Sequence, residues 1–164
     1  MTPVDLLECL GRFIKEKTED IILQVRVNKN NPDAEKERAA DVYKMQLPEK
    51  EDATGKIPYI LLQLVTGKDD RPQGETADEA TCQIRLVFAT YSEDGQQGAY
   101  DVLNLILRIR SELEKIGVLD ERYVLKMPFE YIVYTDQPKP YYLGEAMTNW
   151  SIPTIKREVE EIWQ

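Results

Sequence analysis

Apolar positions along this chain follow two rhythms, one with a period of about 3.6 residues and one of about two, and their order sketches the fold. Near the start, Val4, Leu7, Leu10 and Ile14 recur at helical spacing, and Leu6 and Phe13 extend a flank of that face. Thr2 fits an N-cap, Pro3 suits the first helical position, and Asp5 and Glu8 complement the positive end of the helix dipole. IILQVRV (21–27), rich in β-branched residues, predicts a strand. Residues 28–41 are polar and predict a loop with a turn of helix at most. VYKMQLP then alternates, with Tyr43, Met45 and Leu47 on one side, and predicts another strand. IPYILLQLVT (57–66) is almost continuously apolar, as a strand covered on both faces would be.

Residues 67–79 predict a long loop or the tip of a long hairpin, in which Asp69, Asp70, Glu75, Asp78 and Glu79 outweigh Lys68 and Arg71. ATCQIRLVFATYS (80–92) alternates, with Cys82, Ile84, Leu86 and Phe88 pointing one way and Gln83 and Arg85 the other. A helix is predicted over 97–116, closed by Gly117 as C-cap. Strands at 126–135 and 143–153 flank the Pro-rich turn DQPKPYY. In the tail, 154–164, Ile155, Val159 and Ile162 align at helical spacing. The order is helix, strands, helix, strands, with no internal repeat. It predicts one α+β domain over 1–164, with 28–56 as a polar insertion. The domain is a mostly antiparallel sheet of about four to six strands with two main helices packed on one face.

The second helix carries a surplus of apolar surface. Ala99, Val102, Ile106, Ile109, Leu113 and Ile116 form one narrow stripe that suffices to seat it on a sheet. Tyr100, Leu103 and Leu107 form a second line, at i, i+3 and i+7, roughly 90° or more away. Either a loop of the same chain covers this line or another copy does. Apolar patches are rarely left bare on monomers, and symmetric self-association is the usual remedy. Leu6 and Phe13 repeat the pattern more weakly on the first helix.

Composition removes most chemistry. The 164 residues include no histidine, which eliminates the commonest general base, the usual metal ligand and every Ser-His or Cys-His nucleophile. Neither a GxxxxGK[ST] loop nor a GxGxxG fingerprint occurs. The acidic pairs Asp69–Asp70, Asp78–Glu79 and Glu93–Asp94 lie among loop residues, where solvated charge is ordinary and a two-metal site is the exception. Cys9 and Cys82 cannot build a secreted disulfide framework and read as small buried hydrophobes. Tyr131, Tyr134, Tyr141, Tyr142 and Trp150 fit core and sheet packing better than stacking on a sugar or base. A net charge of −9 argues against tight binding of nucleic acid. The start has no secretory signal pattern and no stretch is apolar enough to span a bilayer, so the expectation is a cytosolic, non-membrane protein.

Two runs carry a family resemblance. IRLVFATYSEDGQQGAYDVLNLILRIRSEL resembles the strand, short Gly-containing loop and Asp-bearing helix of bacteriophage tail terminator (tail completion) proteins, with Asp101 near the helix start and an Ile-Arg-x-x-Leu pattern at Ile109, Arg110 and Leu113. KPYYLGEAMTNWSIPTIKRE resembles their closing strand through Tyr142, Gly144, Trp150, Ile152 and Pro153. The likeness covers residues 57–157. It implies a structural virion subunit in a homo-oligomeric ring, a hexamer, at the head-proximal end of the tail. The ring caps the tail tube, ends its polymerisation and offers the surface on which the head connector docks. It implies no enzyme activity, cofactor, metal or catalytic residue. The partners implied are the subunit itself, the tail tube protein and the head-connector protein, met after synthesis in the host cytoplasm. Tyr100, Leu103, Leu107, Leu6 and Phe13 are then the candidate subunit interface. Asp69, Asp70, Glu75, Asp78 and Glu79 become a lumen or tube-facing acidic loop, with a merely solvated loop as the plain alternative. A neck or head-completion connector protein, or a small cytosolic ligand-binding or enzymatic domain, are the rival readings.

Overall fold

Helix α1 (Pro3–Thr18) starts at the predicted cap, where the Thr2 hydroxyl accepts from the Asp5 N–H and the Asp5 carboxylate accepts from the Thr2 N–H. The two bonds satisfy donors that a helix start leaves without partners. The computed structural model describes residues 1–27, 29–31, 33–48, 53–71 and 78–155. After α1 come β1 (Leu23–Gln24), β2 (Glu37–Arg38), β3 (Asp41–Lys44), a short 3-10 turn (Ala53–Lys56), β4 (Tyr59–Asp70) and β5 (Glu79–Tyr91). Helix α2 (Gly95–Ile116), β6 (Val118–Leu119), β7 (Tyr123–Val133) and β8 (Tyr141–Ile152) complete the order.

The main sheet has six strands in the order β3-β4-β5-β8-β7-β6 and curls into a half-barrel. Every pairing is antiparallel except β3 with β4. This is the expected α+β architecture, with both helices on one face. That face is the core: Ile60 and Leu62 from β4, Cys82, Ile84, Leu86 and Phe88 from β5, and Tyr142, Ala146 and Trp150 from β8 meet the buried faces of the helices. A chain of hydrogen bonds satisfies its polar atoms. The Trp150 indole donates to the Thr148 hydroxyl at 2.8 Å, which donates to the Ile84 carbonyl at 2.9 Å. The opposite face carries a smaller cluster of Ile57, Tyr59, Leu61, Ala89 and Tyr91 at one end. Thus β4 is covered on both faces only over Tyr59–Leu62, a shorter stretch than the apolar run 57–66 predicted, and Val65 is exposed because neither helix nor the smaller cluster reaches it.

Three local expectations change. The strand expected over 21–27 shrinks to β1, which pairs with β2 in a separate small sheet. Its outer apolar residues Ile22 and Val27 remain exposed, because no strand of the main sheet lies beside them to bury them. β3 ends at Lys44 because Met45 takes a positive φ of 66° and leaves the row of Tyr43. The segment 28–41, expected as a loop, contains β2 and the first residue of β3, while the strand expected in VYKMQLP is the part of 28–56 that joins the main sheet. Beyond Ile155 the tail, with Val159 and Ile162, lies outside the described residues.

Both cysteines are buried. Burial pushes the Cys82 thiol up to about 11, and burial followed by the nearby Asp120 carboxylate raises that of Cys9. Thiols held protonated in this way are poor nucleophiles.

Candidate functional site

Helix α2 is built to stand firmly on the sheet while showing a second face to solvent. The Asp94 carboxylate caps it, accepting from the N–H groups of Gln96 at 3.0 Å and Gln97 at 3.4 Å. Gly117, at φ 66°, closes it and donates its N–H to the Leu113 carbonyl at 2.9 Å. Val102, Leu105, Ile106, Ile109 and Leu113 are fully buried against β5, β7 and β8. Leu105 was absent from the sequence-derived stripe. It lies roughly 40° round the helix from Ile109, toward the polar flank of Asp101 and Glu112, and only the packing of α1 there makes it core.

Helix α1 holds that flank. Arg108 donates to the Lys17 carbonyl at 3.1 Å and to Asp20 at 2.7 Å, and Lys17 lies 3.9 Å from Glu112. Because α1 packs over β3 and β4, and α2 over β5, β8 and β7, the opposite flank of α2 faces the β7 side of the molecule. Leu103 lies on this free flank. Tyr100 and Leu107 lie roughly 180° and 160° round the helix from Ile109, directly away from the sheet. Tyr100 is 59% exposed, while Leu103 and Leu107 are half-buried and stand outside the packed core. The three form a raised apolar ridge beside polar Asn104 and Ser111.

The first helix presents no such ridge. Leu6 is fully buried in the chain's own core, and Phe13 packs against that core with Lys17 over its ring at 5.6 Å. Leu6 is therefore unavailable to a partner, and Phe13 is largely committed to its own fold. Leu6 lies only about 40° round the helix from Leu10, so both belong to one wide face wedged between the sheet and α2. Val4, placed on the main face by spacing, is 65% exposed at the helix start.

The acids of 67–79 split between strand ends. Asp69 and Asp70 finish β4, Glu79 begins β5, and Asp78 precedes it, while Glu75 lies outside the described residues. Asp70 pairs with Lys68 at 3.0 Å and Asp78 with Arg71 at 2.7 Å. The four described acids against two cations leave a charge of −2 here. Among the described residues no group of three or more Cys, Asp or Glu is arranged to hold a metal ion. Of the candidate stacking aromatics, Tyr142 and Trp150 are core, whereas Tyr131 and Tyr134 are exposed along β7 and just beyond it.

Past its apolar end, the uncovered face of the sheet is polar. The Thr66 hydroxyl donates to Gln83 Oε1 at 3.0 Å, the Gln83 amide to Asn149 Oδ1 at 2.9 Å, and the Asn149 amide to the Pro128 carbonyl at 2.8 Å. This ladder crosses four strands and suits a face in contact with water.

Asp101, on the flank of α2 that faces α1, carries a destabilised charge. Loss of surrounding water raises its carboxyl above the ordinary range, against the opposing effect of the Gln97 amide donating to it at 2.8 Å. A raised carboxyl binds its proton more tightly in the folded state, so stability is lost as pH climbs from the unfolded value of about 4 through the folded one. Asp101→Asn is therefore expected to unfold at a higher temperature than the parent at pH 7, with the advantage gone at about pH 3.5. Equal melting temperatures at neutral pH would contradict this.

No protein-family model matches the sequence, and no curated protein matches it. Among solved structures, one whose name states no activity aligns over 94% of this chain and 95% of its own, at 10% identity and a TM-score of 0.49. A likeness at that level carries no argument about function.

Proposed function

We propose that this chain is the subunit of a self-assembling ring that closes the end of a phage-type tail tube and presents a docking surface to the head connector. The observation that carries the reading is the ridge of Tyr100, Leu103 and Leu107, which the fold leaves facing outward on a helix already seated by another face. Burying such a ridge on a neighbouring copy removes several hundred Å² from water, worth on the order of 5–10 kcal/mol before association costs. The sequence likeness to tail terminator proteins supports the same reading, as does a sequence without histidine. The subunit acts by shape and charge rather than by catalysis. The net negative end of the β4–β5 hairpin, with Asp69, Asp70, Asp78 and Glu79, sits toward the lumen or the tube, where like charge lets DNA slide past without being gripped.

The test is the mass of the purified protein in solution, alone and mixed with the tube protein of the same tail. A hexamer in either condition, with tube polymerisation halted, is the expected result. A protein that stays monomeric in both, while the tube keeps growing, overturns the proposal.

A further inference from the structure

The main sheet is open, and both of its edges are only partly covered among the described residues. β3 pairs with β4 over Tyr59–Leu62 alone, which leaves the outer edge of β4 from Val65 to Asp70 without a strand. β6 pairs with β7 only at Tyr123 and Val124, which leaves Lys126 to Val133 likewise. Bare strand edges are templates for pairing unless something blunts them. Half of the β7 edge is blunted. Lys126 to Glu130 spans four residues where β8 uses only two, and Pro128 within that bulge has no N–H to offer. Beyond it, Glu130–Val133 is regular and carries two large apolar side chains, Tyr131 at 42% and Ile132 at 51% exposure.

We propose that β7 of one copy pairs antiparallel with β4 of the next, with Glu130 opposite Lys68, Tyr131 opposite Gly67 and Ile132 opposite Thr66, the regular pairing ending where β4 breaks register at Val65. This inference rests on the self-assembly reading above and adds a strand-edge contact to the helix ridge. Direction follows from topology. β4, β5, β8 and β7 alternate, so a copy that continues the sheet in the same sense brings its β4 antiparallel to β7. Facing follows from register. Glu130 and Ile132 lie in rows with Met147 and Glu145, and Thr66 and Lys68 in rows with Gln83 and Thr81, all on the face away from the helices. A slip of one residue would put the helices of adjacent copies on opposite faces.

Charge then selects among the registers that keep the faces aligned. Lys126 and Glu130 pair with Asn149 and Met147, so on this face the two charges sit one row apart. In the proposed register Glu130 meets Lys68 and Lys126 meets Asp70. A slip of two residues one way sets Glu130 against Asp70, and a slip the other way sets Lys126 against Lys68. Like charges directly opposite destabilise a strand pair. The existing Lys68–Asp70 pair is exposed at both ends, so exchanging it costs little. On the helix side, Tyr131 falls across Gly67, where an added Cβ would meet nothing nearer than the Thr81 carbonyl at 3.9 Å, so the ring has room to lie. Because β7 and β4 are different edges, the contact is heterologous, and a heterologous contact whose rotation closes makes a ring that leaves neither edge free.

Cross-linking tests this. Thr66→Cys and Ile132→Cys are made as separate variants, Cys9 and Cys82 being buried, and each is treated with a short bifunctional maleimide under conditions where the protein is assembled. Cross-linked dimers are expected only when the two variants are mixed, and a protein carrying both changes should give a ladder up to the full ring. Glu130→Lys should weaken association roughly fivefold per contact, and Lys68→Glu in the same chain should restore it. Assembly by mass without cross-linking in the mixture overturns the edge pairing and leaves the self-assembly reading standing. Cross-linking by either variant alone overturns the heterologous register. A protein that stays monomeric, with or without its tube protein, overturns both readings.

Discussion

Leu103→Glu and Leu107→Glu, made together, are expected to abolish self-association and leave the chain folded. Neither side chain packs into the core, which is completed by Val102, Leu105, Ile106, Ile109 and Leu113 on the other side of α2. In the free subunit the new carboxylates sit at half-buried, solvent-reached positions, where surface substitutions usually cost little. In the assembly they would be desolvated without a cation. The effective penalty is several kcal/mol per ion, comparable to the gain the ridge contributes. The measured mass should fall to that of a monomer while the melting temperature moves by only a few degrees. Ile109→Glu is the contrasting control: its side chain is fully buried, so the same change there should unfold the protein. If Leu103→Glu and Leu107→Glu unfold the chain as Ile109→Glu does, the ridge belongs to the core and the interface lies elsewhere.

Gly98→Ala should destabilise the fold although alanine is the better helix former. Gly98 lies in the first turn and a half of α2, where the helix descends onto β8. An added Cβ would stand 2.2 Å from both Cδ2 and Cε2 of Tyr142 and 2.7 Å from Cζ. The ring is 3% exposed and has little freedom to move away. A second close approach lies nearby: Gly144 on β8 sits beneath Val102, whose Cγ1 would be 2.6 Å from an added Cβ. The Thr90 hydroxyl, also buried, donates to the Gly98 carbonyl at 3.4 Å and marks how tightly helix and sheet meet. Replacing glycine by alanine inside a helix is worth about 1 kcal/mol in its favour, whereas overpacking a core costs about 1–3 kcal/mol and occasionally more. With a whole ring to displace, the clash should win by roughly 2 kcal/mol, which lowers the melting temperature by roughly 4–8 °C in a chain of this size. Tyr142→Leu should recover part of that loss in the Gly98→Ala background, while lowering stability when made alone. A Gly98→Ala protein at least as stable as the parent would show that α2 does not sit where the structure puts it.

The strand, loop and helix that run from β5 into α2 were legible in sequence because they are contiguous in the chain. The ridge was legible for the same reason. Tyr100, Leu103 and Leu107 belong to one helix, and a wheel needs only local geometry. Leu6 and Phe13 misled because a wheel reports the width of an apolar face and not the number of neighbours pressing on it. The acidic segment was visible as composition, but its ion pairs Lys68–Asp70 and Arg71–Asp78 depend on how the hairpin strands close. The free edges of β4 and β7 carried no sequence signal, since an edge is defined by the strand that is missing beside it.

What the amino-acid order settled by itself was local. It placed the caps at Thr2 and Gly117, the helical stripes apart from the exposed end residues Val4 and Ile116, the alternation of β5 and the doubly apolar start of β4, because each arises from interactions within a few residues. The tertiary structure alone decided the strand order, the covering of Leu6 and Leu105, the seating of Gly98 on Tyr142, and the two edges that are only partly covered among the described residues. Those features depend on which distant segments meet. Burial and pairing are set by the partner across the gap, and no local periodicity names that partner.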